Sequence, residues 1–241
     1  MSMSNKVSVC IATYNGEKFI AEQIRSILVQ LDLNDEIVIS DDNSEDNTLS
    51  IIKDIGDIRI RLFSNEGKGG PIYNFENALL RATGDYIFLS DQDDIWMPDK
   101  VDKMLLELKT GRDLVISDCK IVNENLNVLH DSYFKFNNSA SGFLKNIHKN
   151  SYMGCCMAFN REVLKVCIPF PEDIPMHDSY IGLMAELKFK IKFLQIPLIL
   201  HRKHNDNSSD TASGKSKYNF KKKILFRFQL LSAIAQKYLK M

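Results

Sequence analysis

Asp91, Gln92, Asp93 and Asp94 put three carboxylates within four residues, directly after the apolar run Tyr86-Ile87-Phe88-Leu89. Adjacent like charges repel and raise one another's pKa, so a cation among the oxygens is the natural occupant. An all-oxygen donor set suits Mg²⁺ or Mn²⁺ better than zinc. The other reading is a solvated acidic turn in front of a helix started by Pro98. Two further carboxylate positions raise the same choice between chemistry and structure. Asp41-Asp42 follows a second short apolar run, and Asp178 follows His177 at the head of a helical segment. A carboxylate so placed can take a proton from a hydroxyl group or cap a helix.

The elements that must position these residues alternate. Residues 6–11 read as a buried strand, and 17–30 as a helix with Phe19, Ile20, Ile24, Ile27 and Leu28 on one face. A second strand is expected at 36–40, then a helix to about residue 55 capped by Asp46 or Asn47. Strand 58–63, helix 72–81 and strand 86–89 follow. This β-α-β-α-β-α-β order favours a parallel sheet with right-handed crossovers, in which ligands bind beyond the carboxyl ends of the strands. Thr13-Tyr14-Asn15, Asp41-Asp42 and Asp91-Gln92-Asp93 would then gather along one edge. Further on, a helix to about 108, a strand at 114–117 and an irregular polar excursion over 123–150 are expected. A strand over 151–159, a helix over 161–166, a helix from His177 to about 187 and an apolar stretch over 189–199 complete the body.

The 241 residues suit one large α/β domain with an appendage. No apolar run approaches the roughly 18–20 residues that cross a bilayer. Cys10, Cys119, Cys155, Cys156 and Cys167 lack zinc spacing and read as buried thiols of a reducing compartment, so a cytoplasmic location is expected. The balance of 31 basic and 31 acidic residues hides an asymmetry. From Ser213 onward there are eight Lys/Arg and no acid, leaving 23 basic against 31 acidic residues before it. On a helix from Lys221, the residues Ile224, Leu225, Phe228, Leu231, Ala235, Tyr238 and Leu239 share an apolar face, while Phe226, Leu230 and Ile234 interrupt the polar side. Two readings stay open for this tail: an interfacial contact with anionic lipid, peripheral on the inner face of the cell membrane, or docking on the body or on a second protomer. A nucleic-acid partner is not expected.

The chain resembles the family 2 inverting glycosyltransferases of the GT-A fold, closest to the branch that builds bacterial surface polysaccharides and includes many rhamnosyltransferases. The resemblance rests on Val7 to Gly16, Ile39 to Ser44, Gly84 to Ile87, Ser90 to Trp96, His177-Asp178, and Arg202 with His204 and Asn207, in that order. It implies an α/β fold of GT-A type, a Rossmann-like and mostly parallel sheet flanked by helices, with a C-terminal helical tail. Residues 1–212 would form the domain, 1–118 its nucleotide-binding half and 119–212 its acceptor-binding half, with 213–241 as the tail.

The same resemblance implies a division of labour. Ala12, Thr13 and Tyr14 would line the base pocket, and Asp42 would accept the imide N–H of uracil or thymine. Glu17, Asn74, Asp91 and Arg202 would complete the nucleotide-sugar site, with a looser match at Asn65 and Gly67. Asp93 and His204 would hold Mn²⁺ or Mg²⁺, and Asp178 would be the catalytic base. The implied donor is a UDP- or dTDP-sugar, and the implied acceptor a glycan or a polyprenyl-diphosphate-linked sugar. Two competing readings are a sugar-phosphate nucleotidyltransferase and a silent nucleotide-sugar or glycan-binding module. The first expects a glycine-rich basic signature near the first strand, which Ala12 to Gly16 does not supply. The second has no need of Asp178.

Overall fold

The computed structural model describes residues 5–204 and 218–239. Strand β1 (Val7–Thr13) and strand β2 (Glu36–Asp41) are buried along almost their whole length. Strands covered on both faces are the mark of a central parallel sheet. β1 pairs in parallel with β2 and with β4 (Tyr86–Ser90), and β2 pairs in parallel with β3 (Ile60–Ser64). Helices α1 (Ile20–Leu28), α2 (Thr48–Asp54) and α3 (Pro71–Arg81) make the crossovers. Register matters here: Thr13 lies opposite Asp41, and Asp41 opposite Ser64, so the strands end level. The expected edge of polar clusters therefore exists.

Beyond β4 lie β5 (Ile95–Trp96), α4 (Lys100–Lys109), β6 (Leu114–Asn123) and β7 (Val128–His130). Helices α5 (Tyr133–Asn137) and α6 (Phe143–His148), a 3-10 turn at Gly154–Cys156 and β8 (Met157–Asn160) follow. Then come α7 (Arg161–Cys167), α8 (His177–Lys188), β9 (Ile191–Lys203) and α9 (Phe220–Leu239). The strand order is β3-β2-β1-β4-β8-β6-β9-β5, with β7 beside β6. β8 is antiparallel to both β4 and β6, which restores β6 and its parallel neighbour β9 to the common direction.

Several boundaries differ from those expected. α1 begins at Ile20, because the Gly16 carbonyl takes the amides of Phe19 and Ile20 and folds 16–20 into a turn. β6 continues to Asn123: Ser117 and Asp118 interrupt its apolar character, yet both are buried and pairing with β9 resumes after a register shift. The 123–150 segment is not irregular, since it carries β7, α5 and α6. Asp118 organises it by accepting from the Phe134 amide at 2.9 Å and from the Ser132 hydroxyl. A polar side chain inside a strand thus anchors the excursion that sequence periodicity could not resolve. The 151–159 strand is shorter than expected and starts only at Met157.

Lys100 is fully buried. Its Nζ donates to the Cys155 carbonyl at 2.7 Å and stands 4.1 Å above the Trp96 ring, fixing the 3-10 turn from below. Burial pushes its pKa down to about 8. Trp96 is a buried corner residue, tilted against Phe88.

Gly182 lets α8 lie on Tyr152: a Cβ there would sit 2.5 Å from three atoms of the aromatic ring. Gly182→Ala is therefore expected to cost about 1–3 kcal/mol of stability through overpacking. A thermal melt checks this, and an unchanged midpoint would show that the Tyr152 ring moves aside freely.

Candidate functional site

The first cluster forms where β1 and β2 end. Asp41 is buried and structural: it accepts from the Thr13 hydroxyl at 2.9 Å and from the Ser44 amide at 2.8 Å. Thr13, 1 % exposed, therefore supports the pocket from beneath rather than lining it with its hydroxyl. Asp42 points the other way. It accepts from Asn65 Nδ2 at 2.9 Å and from the Gly70 amide at 2.7 Å, which hold the 65–70 loop around it. Each carboxylate oxygen has two lone pairs, so acceptor capacity remains for a ring N–H. Capping is excluded as the role of Asp42, because Asp46 binds the Thr48 amide at the start of α2. Asn74 donates to the Thr13 carbonyl at 3.0 Å, and its buried Oδ1 has no partner among the described residues. Ala12 is half-buried beside them.

Tyr14 is 54 % exposed and free to cover a planar ligand, while its backbone is held by the middle residue of the acidic motif. Gln92 Oε1 accepts from the Tyr14 amide at 2.9 Å, and Gln92 Nε2 donates to the Tyr14 carbonyl at 3.0 Å. Gly16 makes room for this, since a Cβ there would stand 2.4 Å from Gln92 Oε1. Glu17 is drawn to α2 instead: its Oε2 accepts from the Asn47 amide and side chain at 3.0 and 2.7 Å.

The acidic run divides by depth. Asp93 Oδ2 lies 2.8 Å from His204 Nε2, so the two residues expected to share a metal do meet. Asp94 is fully buried and lies 2.9 Å from His201 Nδ1. Burial alone would push the His201 imidazolium down, but Asp94, with Asp91 and Asp93 beyond, holds its pKa up at about 10. His201 is therefore a fixed cation inside the acidic cluster; it falls inside β9, which runs to Lys203, beyond the apolar stretch that ends at 199 in sequence. Asp91, Asp94, Cys155 and His201 bring ligand atoms within 4.8 Å of one another, a group that could hold a metal ion once His201 gives up its proton. Asp91 is raised well above the ordinary carboxylate range by burial first, then by Asp94, Asp93 and Asp178.

Arg202 departs from expectation. It is 3 % exposed, and its guanidinium donates to the Asp93 carbonyl at 2.9 Å, the Glu124 carbonyl at 2.8 Å and Glu22 Oε2 at 2.6 Å. It also lies 4.5 Å from the Phe19 ring centroid. It is ion-paired with Glu22, and its bond to the Asp93 carbonyl ties it to the acidic loop. Asn207 lies outside the described residues.

Asp178 opens the first turn of α8 and is buried. Burial pushes its carboxyl up to about 6, against the opposing pull of the Ser179 and Gly154 amides. Beside it His177 is stacked on Phe75 with ring centroids 4.3 Å apart. Both His177 ring nitrogens are buried without a partner among the described residues, and burial lowers its pKa to about 4. Gly154 keeps its backbone against this pair, with a Cβ there only 3.2 Å from His177 Nε2. A neutral imidazole and a carboxyl group of raised pKa thus stand side by side.

Comparison with known proteins fits this geometry. The dTDP-rhamnosyl transferase RfbG of Shigella flexneri is 29 % identical over 234 residues, covering 86 % of this chain and 76 % of its own. The Escherichia coli UDP-Glc:alpha-D-GlcNAc-diphosphoundecaprenol beta-1,3-glucosyltransferase WfgD is 34 % identical over 49 % of this chain, which spans only about half (47 %) of that relative. Among solved structures, S. aureus TarS 1-349 in complex with UDP-GlcNAc shares the fold with a TM-score of 0.71 at 24 % identity, over 96 % of this chain and 69 % of that one. Glucosyl-3-phosphoglycerate synthase from Mycobacterium tuberculosis, solved with Mn²⁺, UDP-Glc and phosphoglyceric acid, does so with a TM-score of 0.63 at 18 % identity, over 97 % and 79 %. The fold is thus of GT-A type, and residues 8–167 match the description Glycosyl transferase family 2. With the profile covering most of the chain, the protein belongs to glycosyl transferase family 2.

Proposed function

We propose that this chain transfers a sugar, with inversion, from a UDP- or dTDP-sugar to a glycan or a polyprenyl-diphosphate-linked acceptor in bacterial surface-polysaccharide synthesis. The observation that carries this reading is the separation of labour among its carboxylates. Asp42 is held after β2 by Asn65 and Gly70, Asp93 meets His204, and Asp178 is near enough to Asp91 to raise its pKa while its own is pushed up to about 6. A single in-line displacement needs one base and no enzyme nucleophile. Asp178, largely ionised at neutral pH and shielded from water, suits removal of the acceptor hydroxyl's proton.

Asp93 and His204 would hold Mn²⁺ or Mg²⁺. The donor set fits, because a carboxylate oxygen and an imidazole nitrogen 2.8 Å apart converge beside the carboxylate of Asp91. Such a cation supplies charge neutralisation on the departing diphosphate. Asp91 faces the ribose side, Tyr14 covers the base and Asn74 Oδ1 offers an acceptor to the nucleotide. His201 balances the charge of the buried Asp94. The one glycine in the first loop that geometry demands, Gly16, is required by Gln92. That leaves no glycine-rich phosphate cradle for the nucleotidyltransferase reading.

A thermal-shift panel of UDP-Glc, UDP-Gal, UDP-GlcNAc, UDP-GalNAc and dTDP-rhamnose, with and without Mn²⁺, tests this reading and names the donor. At a hundredfold excess over Kd the correct donor is expected to raise the melting temperature by about 5–10 °C. No shift with any nucleotide would overturn the donor assignment, and shifts indifferent to Mn²⁺ would overturn the metal.

A further inference from the structure

Helix α9 carries two apolar faces, and the body covers only one. Leu230, Ala233 and Ile234 are buried against the domain. These include two of the residues that interrupt the tail's polar side in sequence. Polar contacts lock the docking: Arg227 donates to the carbonyls of Ile147 and His148 at 3.0 and 2.8 Å, and Lys237 to those of Ile168 and Pro169 at 3.0 Å. The orientation of the helix about its axis is therefore fixed.

That orientation turns the broader apolar face outward. Phe220, Leu225, Phe228 and Leu239 are 73, 54, 68 and 86 % exposed, and Leu231 is exposed as well. At 100° per residue these side chains fall within one half of the helix circumference. Lys221 and Lys222 are exposed at the N-terminal end of the same helix, and Asp and Glu are absent from Ser213 to the C-terminus. A contiguous apolar face of this kind marks an interaction site rather than ordinary surface. A helix with a wide apolar face, basic flanks and no acid has the composition of one that lies in a membrane interface. No helix among the described residues is long and apolar enough to cross a bilayer, so the contact is lateral.

We propose that the outward face of α9 seats the protein on a bilayer surface carrying anionic lipid. The charge pattern favours this occupant over a second copy of the chain. In a two-fold pairing of α9 these lysines would meet no carboxylate, since the helix carries none, whereas anionic headgroups neutralise them at about 1 kcal/mol per residue. α9 packs on α8 and grips the end of α6. The proposal requires no step of the transfer reaction.

Flotation of the full chain, without nucleotide or metal, tests it. The probes are vesicles of phosphatidylcholine mixed with phosphatidylglycerol and vesicles of phosphatidylcholine alone. Flotation is expected with the mixed vesicles and to fall as salt rises. Leu225→Ser with Phe228→Ser should weaken it by about tenfold or more, and Lys221→Gln and Lys222→Gln by about fivefold each. Circular dichroism melts establish that each variant is folded, and the lysine variants serve if the apolar pair is not. Absence of flotation by the unaltered protein, or undiminished flotation of the folded variants, would overturn the proposal. So would a dimer in light scattering that the Phe228 change dissociates while vesicles bind nothing. None of these outcomes depends on whether the protein transfers sugar.

Discussion

Asp178→Asn is expected to lower the transfer rate by about 10²–10⁴-fold, the usual worth of a positioned general base, while UDP or dTDP binding stays nearly intact. The substitution removes basicity but keeps shape, and the Asp178 carboxyl does not touch the residues that hold the nucleotide end. Steady-state rates set against calorimetric titration of the nucleotide make the comparison, and undiminished transfer would remove Asp178 as the base. In the unaltered protein, activity should climb as pH rises through about 6, where burial has placed the Asp178 pKa.

The same shift has a consequence for stability, and its sign is opposite to that of a salt-bridged acid. Asp178 is held near 6 in the folded state against 3.8 for an ordinary aspartate, so the unfolded chain releases this proton first. Below about pH 4 both states are protonated and nothing is lost. Between there and about pH 6 the folded state loses ground. Above that the cost is fully developed, on the order of 3 kcal/mol. Asp178→Asn should therefore melt higher than the unaltered protein near neutral pH, with the advantage vanishing near pH 4. A residue whose removal stabilises the fold and stops the chemistry is retained for the chemistry.

The second large effect concerns the metal pair. Asp93→Ala is expected to abolish the part of UDP or dTDP affinity that depends on Mn²⁺, with metal affinity falling by about 10–100-fold at least, the loss that even supporting residues of a metal site produce. His204 remains in place on β9's end, but a lone imidazole does not supply the negative charge that balances a divalent ion. Titrations with and without Mn²⁺ decide the matter. Unchanged Mn²⁺-dependent binding in Asp93→Ala would remove Asp93 as a ligand and turn attention to the deeper group of Asp91, Asp94, Cys155 and His201.

The parallel half of the sheet and the order of its elements were legible because each strand is a short apolar run ended by turn or charged residues, and each helix shows its own period. The placement of Asp42 and Asp93 after strands and of Asp178 at a helix start was legible in the same pattern, while their roles are what the resemblance implies. What escaped is informative in the same terms. Arg202 was expected at the phosphates, but its backbone lies inside β9 and Glu22 meets its charge from α1, a contact across 180 residues of chain that local pattern does not reveal. His201 lies beyond the apolar stretch that ends at 199, and its partner Asp94 is 107 residues away, so local pattern does not mark it. The 123–150 segment was read as irregular since the residue that orders it, Asp118, sits outside it. On the tail, two of the three residues that marred the polar face, Leu230 and Ile234, are buried against the body.

Gln92 fills the position between two aspartates where sequence patterns allow any residue, yet its amide closes a two-bond ring with the Tyr14 backbone across 78 residues. The loop that bears Tyr14 and the loop that bears Asp93 are consequently one mechanical part. A ligand that orders either loop lowers the entropy still to be lost at the other. Nucleotide and cation would then each raise the affinity for the other by the same factor, and the size of that factor would be set at the one position of the motif that carries no charge.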